Sequence, residues 1–381
     1  MLRFSLRRIP IALFSHAPAL PAGKDKKAKH AHELLLREVR LLTASKRKVA
    51  KFSPAEGEVK YRKLGRSGLK LSAIGLGSYL TIGDGLDETR SRDTVRRAYE
   101  LGVNFFDTAD AYGRGAVEEM LGKCLREFER SSYVLATKVW APMGPGPNDK
   151  GLSAKHIRHG CEAGLKRLGT DFIDLYQCHR PDPETPLDET IRAMEDLARQ
   201  GKIIHWGVSE WPAGLIAEAQ GVARSIGCRP MTSNQPRYSL LYRDPEVEVI
   251  PQCEREGIGL VNFSPLAHGV LTGKYVPGQP PRKGTRASDP ERNQVMMKLY
   301  WQEEKLQKAQ SMKAVAQEAG LAPAQLALAW CLRLPIVASA IIGATSVGQI
   351  EENLKAAELT LSEDLLKKLD EIFPPPVKLG P

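Results

Sequence analysis

A closed (β/α)8 TIM barrel, an α/β fold, is what the sequence predicts, and three observations predict it. Eight short apolar segments of strand length recur from residue 58 onward. Amphipathic helical segments alternate with them, the pattern of a parallel sheet with crossover helices. The alternation runs through eight units without the break that an open doubly wound sheet requires. A chain of 381 residues, 42% hydrophobic and 26% charged, can bury such a core, and α/β barrels pass ~250 residues as one domain.

The elements follow in order. "EVKYRKLGRSGLKLS" (58–72) alternates around a "GRSG" turn and reads as an N-terminal β-hairpin. The eight strands are "LSAIGLG", "VNFFD", "YVLATKV", "FIDLYQC", "IIHWGV", "MTSN", "GIGLVNF" and "ASAIIG". The clearest helices are "SRDTVRRAYELG", "AVEEMLGKCLREF", "SAKHIRHGCEAGLKRLG", "PLDETIRAMEDLARQG" and "APAQLALAWCLRL". The fourth carries the plainest boundary signals: Pro181, Pro183 and Pro186 before it, acids in its first turn, Gly201 after it. After the seventh strand comes one long irregular loop, 264–293, of a kind that in compact domains is usually functional or disordered. "SEDLLKKLDEIF" adds a capped C-terminal helix.

Charge divides the chain in two. Residues 1–57 hold 13 Lys/Arg against 4 Asp/Glu, so this extension carries +9 of the net +10 and the barrel, 58–381, is nearly neutral. That balance gives the fold no basic face for nucleic acid. The first 24 residues contain Arg, Ser and apolar residues and no acid, the composition of a mitochondrial or plastid transit peptide; the other reading is a basic tail on a cytoplasmic protein. Residues 31–50 read as briefly helical, then basic, and serve equally as linker, interaction tail or presequence. The six cysteines are scattered, with no zinc spacing, as expected of reduced thiols and no metal site.

In a barrel of this kind reactive groups gather where the strands end at their C-termini. The second strand ends on Asp107, the third carries Lys138 beside its end, and the fourth leads into His179; Tyr112 lies in the loop after the second. Singly, each has an ordinary explanation: a turn-forming Asp, a surface Lys, a capping or core His. At successive strand ends they predict one catalytic cluster. For the carbonyl reduction that the family resemblance quoted next implies, the oxygen gathers negative charge and needs a proton donor within ~3 Å. A phenol of ordinary pKa ~10 fits that task only if a neighbouring ammonium lowers it, and Asp107 would keep that ammonium charged and fixed.

The phrases "NFFDTADAYGRG", "TKVW", "DLYQCHRPD", "WGVSEW", "SPLAHGVLTGKY" and "IIGATSVGQIEEN" resemble the aldo-keto reductase family. The resemblance runs in order from 58 to about 372 and is nearest to the potassium-channel β-subunit branch, whose plant members share "GPGPNDKGLS" and "CHRPD". It implies NADPH-dependent reduction of small aldehydes or ketones, with Tyr112 as general acid, Lys138 and Asp107 tuning its pKa, and His179 orienting the substrate and sharing its proton. It places the nicotinamide carboxamide on Ser209 and Gln235, the nicotinamide ring against Phe263, and the diphosphate along Ser264, Pro265 and Leu266 with Lys274. Gly77, Ser78 and Tyr79 would line the opposite side. The 2′-phosphate falls to Thr345, Gln349 and Arg286, beside Gly343 in a Gly-Ala-Thr-Ser turn that opens a helix, a natural anion site; Glu352 and Asn353 would hold adenine. Tyr79 and Trp140 would wall the substrate, and Arg180 would either attract an anionic aldehyde or pair with Asp182. Animal members of the branch typically have Asn at His179, with weak turnover, so the complete tetrad here favours a working reductase; the channel-subunit branch usually has Trp at Phe263. The resemblance therefore leaves two partners in view, a small carbonyl substrate and a potassium channel subunit; a homo-oligomer is also left open.

Overall fold

The computed structural model describes residues 59–377; the N-terminal extension of residues 1–57 and its targeting or tail role lie outside them. Among the described residues, eight parallel strands close into the expected barrel. They are β3 (Ile74–Gly77), β4 (Phe105–Asp107), β5 (Val134–Val139), β6 (Ile173–Cys178), β7 (Ile203–Ser209), β8 (Ser233–Gln235), β9 (Gly259–Asn262) and β10 (Val337–Ile342), and β10 pairs back onto β3. The predicted hairpin is present as β1 (Tyr61–Lys63) and β2 (Lys70–Ser72). The segment "LSAIGLG" divides at Ala73 between hairpin and barrel.

The hairpin closes the end of the barrel where the strands begin. Leu64 and Leu71 are fully buried in one cluster with Phe105, Val134, Ala136, Leu175 and Val261. Arg62 binds the carbonyls of Leu332 and Val337 at 2.8 and 3.0 Å, and the Arg66 amide binds Gly257 at 2.9 Å. Gly65 has φ +54°, and a Cβ there would lie 2.3 Å from the Gly257 oxygen, so this close approach requires glycine. The plug is well packed: truncating a fully buried Phe such as Phe105 typically costs ~3–5 kcal/mol.

Outside the strands run α1 (Glu88–Glu100), α2 (Ala116–Leu125), α3 (Ala154–Leu168), α4 (Leu187–Arg199), α5 (Ala213–Ser225) and α6 (Val249–Glu256). The site-bearing stretch after β9 leads to α7 (Gln294–Tyr300), α8 (Glu303–Glu318) and α9 (Pro323–Leu332); α10 (Val347–Leu354) and α11 (Glu363–Ile372) follow β10. Helix α1 starts three residues before the expected Ser91, because the Asp87 side chain caps it by accepting from the Arg90 amide at 2.8 Å. The loop 264–293 is less irregular than expected, holding 3₁₀ turns at Ala267–Thr272 and Arg286–Ser288. Helices α5 to α8 were not among those the sequence marked.

Candidate active site

Strand periodicity builds the site. Side chains alternate between the barrel interior and the helices: Val134 and Ala136 pack inside, while Leu135 and Val139 pack against the helical layer. The inward row of β5 therefore continues to Lys138. The same alternation sends Phe105 and Asp107 inward on β4, and Leu175 and Gln177 on β6, with His179 next in that row. Register aligns these ends: Gly77 pairs with Asp107, Lys138 with Gln177, and Ser209 with Gln235.

The expected cluster is assembled. Lys138 Nζ lies 2.7 Å from Asp107 Oδ1, 2.7 Å from the Thr108 carbonyl and 3.4 Å from Tyr112 Oη. Its side chain is wholly buried, and burial alone would favour the neutral amine; Asp107 and Tyr112 more than offset this and hold its pKa above the ordinary value. Asp107 also accepts from Gln235 Nε2 at 2.9 Å. The Tyr112 ring faces His179 edge-on at 5.9 Å and Tyr79 at 4.9 Å. One expectation is corrected: Tyr112's pKa is raised, not lowered. Burial outweighs the opposing pull of Lys138, so the phenol keeps its proton at neutral pH. His179 is driven down to about 2 by burial, Lys138 and Arg180, making it a neutral imidazole, and its Nδ1 is buried without a hydrogen-bond partner.

A cavity of about 530 Å³ runs from Tyr112 across the barrel mouth. It is lined by Gly77, Tyr79 and Asp107 at one end, by Phe263, Ser264, Pro265 and Leu266 along one side, then by Lys274 and Arg286, and by Gly343, Thr345, Gln349, Glu352 and Asn353 at the far end. Lys274, Arg286 and the unexpected Arg282 converge there, and none of them forms an ion pair among the described residues. Lys274 is lowered by desolvation and then by Arg286 and Arg282. Helix α10 starts at the same end with no side chain capping it, so its first amides remain open to an anion. A Cβ on Gly343 would press on the Arg286 guanidinium at 3.2 Å, so the groove is cut close to that cation. Three cations and a free helix start without a counter-ion fit a polyanionic dinucleotide.

Several expected contacts are occupied internally. Gln349 Oε1 accepts from the Thr345 amide at 2.8 Å and its hydroxyl at 3.2 Å. Ser209 Oγ donates to the Gln235 carbonyl at 2.8 Å, leaving it only acceptor capacity toward a carboxamide. Ser209, Gln235 and Ser78 are buried beneath the cavity and do not line it. Trp140 packs partly buried against the outer core and likewise does not line it. Of the two alternatives for Arg180, the pair with Asp182 is not formed: Asp182 accepts from the Leu152 amide and from Thr185 at 2.7 Å each. Sequence reasoning missed Gln177, which approaches Asp107 at 3.5 Å, and His268 and Arg282, which line the cavity. Two-residue periodicity back from His179 marks Gln177; no local signal marks the other two.

Backbone strain gathers at this mouth. Among the described residues, six non-glycine residues have positive φ: Leu80, Arg114, Glu210, Ser264, Ala267 and His268, all on loops that follow barrel strands. Such conformations cost ~1–3 kcal/mol each and cluster where loops are shaped for ligands.

Fold and site together define a barrel whose mouth joins a Lys–Asp–Tyr cluster to an anion-binding groove, and the chain belongs to the aldo/keto reductase family, whose sequence pattern matches residues 73–373. Membership supports an oxidoreductase with a nicotinamide cofactor. Among curated relatives, the chain is 42% identical over 321 residues to a protein of Arabidopsis thaliana named "Probable voltage-gated potassium channel subunit beta", covering 83% of this chain and 97% of the relative. A protein of the same name from Oryza sativa subsp. japonica is 41% identical, covering 82% and 96%. A "Putative voltage-gated potassium channel subunit beta" from Schizosaccharomyces pombe (strain 972 / ATCC 24843) is 42% identical, covering 83% and 93%.

Proposed function

We propose that this protein is an NADPH-dependent reductase of small aldehydes and ketones. The observation that carries the reading is Tyr112 Oη at 3.4 Å from a buried Lys138 ammonium that is itself fixed by Asp107. When bound, NADPH supplies the hydride to the carbonyl carbon. Tyr112 donates its proton to the carbonyl oxygen, and solvent later returns one. The cost of leaving a buried tyrosinate falls because Lys138 stands beside it, and electrostatic help is large where water is excluded. His179, neutral, donates one N–H to the same oxygen and orients it. Lys274, Arg282 and Arg286 hold the cofactor's phosphates, and the preference for NADPH over NADH comes from Arg286 with the Thr345–Gln349 turn.

The test is NADPH oxidation by the purified chain over a panel of small aldehydes, with Tyr112→Phe as the control. The variant should lose ~10²–10⁴-fold in rate while binding NADPH as the parent does. Turnover within threefold of the parent would remove Tyr112 from the acid's role. The second reading, a regulatory NADPH-binding β subunit of a potassium channel, is supported by the names of relatives about 42% identical over most of the chain. It predicts cofactor binding with little turnover, and assembly with a channel.

A further inference from the structure

The rim beside the catalytic cluster carries two guanidinium groups, Arg180 and Arg237, that form no ion pair among the described residues. Arg180 follows His179; its Nη1 donates to the His179 carbonyl at 2.6 Å and reaches Ser209 Oγ at 3.5 Å. Asp182, the nearest acid in sequence, is held by Leu152 and Thr185 instead. Arg237 lies two residues past Gln235 and bridges in backbone to Phe263, so it too stands at the mouth. Its guanidinium lies 3.5 Å above the Tyr242 ring, and its Nε is buried with no hydrogen-bond partner. Glu210 is near enough for its charge to act on Arg237 but makes no ion pair with the guanidinium; its Oε1 accepts from the Arg237 backbone amide at 2.6 Å.

An aromatic wall joins this rim to the proton donor. From Tyr112 it runs to Tyr79 at 4.9 Å, to His268 at 6.3 Å and to Tyr300 at 5.6 Å. Tyr300 lies close enough to Arg237 to be influenced by its charge. Tyr300 stands within hydrogen-bonding reach of Arg237 and His268 lines the groove, so the buried group left without a partner at this rim is Arg237 Nε. A buried N–H left unpaired is costly, and a bound anion would satisfy Arg237 Nε with a charge-assisted hydrogen bond. Lys274, Arg282 and Arg286 line the groove itself, whereas Arg180 and Arg237 do not, so the phosphate-holding set leaves these two without a role.

We propose that the substrate is a small aldehyde or ketone bearing an anionic group, a carboxylate or a phosphate, which Arg237 and Arg180 receive at the rim while the carbonyl lies against Tyr112. This rests on the reductase reading above. An arginine fork suits either group, so the experiment separates them.

NADPH oxidation is followed with 4-carboxybenzaldehyde against its near-isosteric neutral amide, 4-formylbenzamide, and with glyceraldehyde 3-phosphate against glyceraldehyde. At least one anionic member should exceed its neutral partner about tenfold in kcat/KM, chiefly through KM; the pair that shows it identifies the group. Arg237→Met should collapse that ratio toward one without changing NADPH affinity, and Arg237→Lys, which keeps the charge, should recover part of it. Equal kcat/KM within both pairs, or a ratio that survives both Arg237→Met and Arg180→Met, overturns the proposal. Absence of turnover with every aldehyde overturns the reductase reading instead. Terephthalate binding to the NADPH-loaded chain then reads the anion site directly, and no saturable binding, or binding indifferent to Arg237→Met, overturns that site as well.

Discussion

Replacing Lys138 with Met keeps most of the side-chain volume and removes one buried charge. Lys138 Nζ has two contacts of 2.7 Å, to Asp107 and Thr108, and one of 3.4 Å to Tyr112. Asp107 is only 3% exposed, so the variant leaves a carboxylate buried without its cation. Breaking a buried pair from one side costs about 3–5 kcal/mol, which for a domain of this size lowers Tm by roughly 4–8 °C. Adding Asp107→Asn removes the stranded charge, so the double variant should regain about half the loss or more, a coupling of order 2 kcal/mol. Activity should not return with stability. Without the ammonium, nothing opposes the burial that raises Tyr112, and the single-turnover rate should fall ~10²–10⁴-fold in both variants. NADPH affinity should change little, since Lys138 does not line the groove. The assay pairs thermal unfolding with stopped-flow NADPH oxidation. Two results refute the reasoning: a double variant whose loss equals the sum of the singles, or Lys138→Met turning over within threefold of the parent.

Two further outcomes are expected. Asp110 is buried, and burial, then Glu118, raises its pKa from 3.8 to about 7 against the opposing pull of the Ala111 amide. A carboxyl raised on folding favours the folded state below pH 3.8, and that benefit drains away as pH climbs to about 7; Asp110→Asn should therefore raise Tm at pH 8, by up to roughly 4 kcal/mol of stability, and the gain should vanish near pH 4 in a pH series of melts. Residues 1–45 fused to a fluorescent reporter should direct it to mitochondria or plastids, whereas diffuse cytosolic signal would favour the basic-tail reading.

Much of the architecture was legible because its signals are local. The eight apolar runs and the helices between them depend on periodicity alone, and Asp107, Lys138 and His179 were found by asking what ends each strand. Helices α5 to α8 escaped for equally local reasons. In α5, "AGLIAEAQGVARS", small residues and an interior Gly221 blur the apolar stripe. In α8, "EEKLQKAQSMKAVAQE", Ala and Met bury the inner face among many polar residues, leaving the period faint. Gln177 was missed because a neutral amide draws no attention until Asp107 is seen against it. His268 enters the cavity from a turn with φ +55°, a conformation its own neighbours do not announce. The direction of Tyr112's pKa needed burial as well as neighbours: the sequence revealed the nearby lysine, and only packing revealed that desolvation exceeds it.

The charge left uncompensated in the groove makes cofactor binding and stability one measurement. Lys274, Arg282 and Arg286 repel one another in the free protein, and a ligand that binds only the folded state stabilises it by RT ln(1 + [L]/Kd), about 4.1 kcal/mol at a thousandfold excess over Kd. NADPH should therefore raise Tm well above the effect of NADH at equal concentration, since its extra phosphate meets cations that form no ion pair among the described residues. Charge-assisted hydrogen bonds from Arg286 contribute roughly 1.5–3 kcal/mol each. Losing one such contact in Arg286→Ala weakens NADPH by about 10–150-fold, and at the same ligand concentration most of the Tm gain disappears. NADH, which lacks the 2′-phosphate, should keep nearly its full effect in the variant. Added salt should also shrink the NADPH advantage in the parent, because the contact is partly open to solvent. Equal weakening of both cofactors by Arg286→Ala would move Arg286 from the 2′-phosphate to the diphosphate or to the loop's own structure, and an NADPH advantage indifferent to salt would argue against cations as its source.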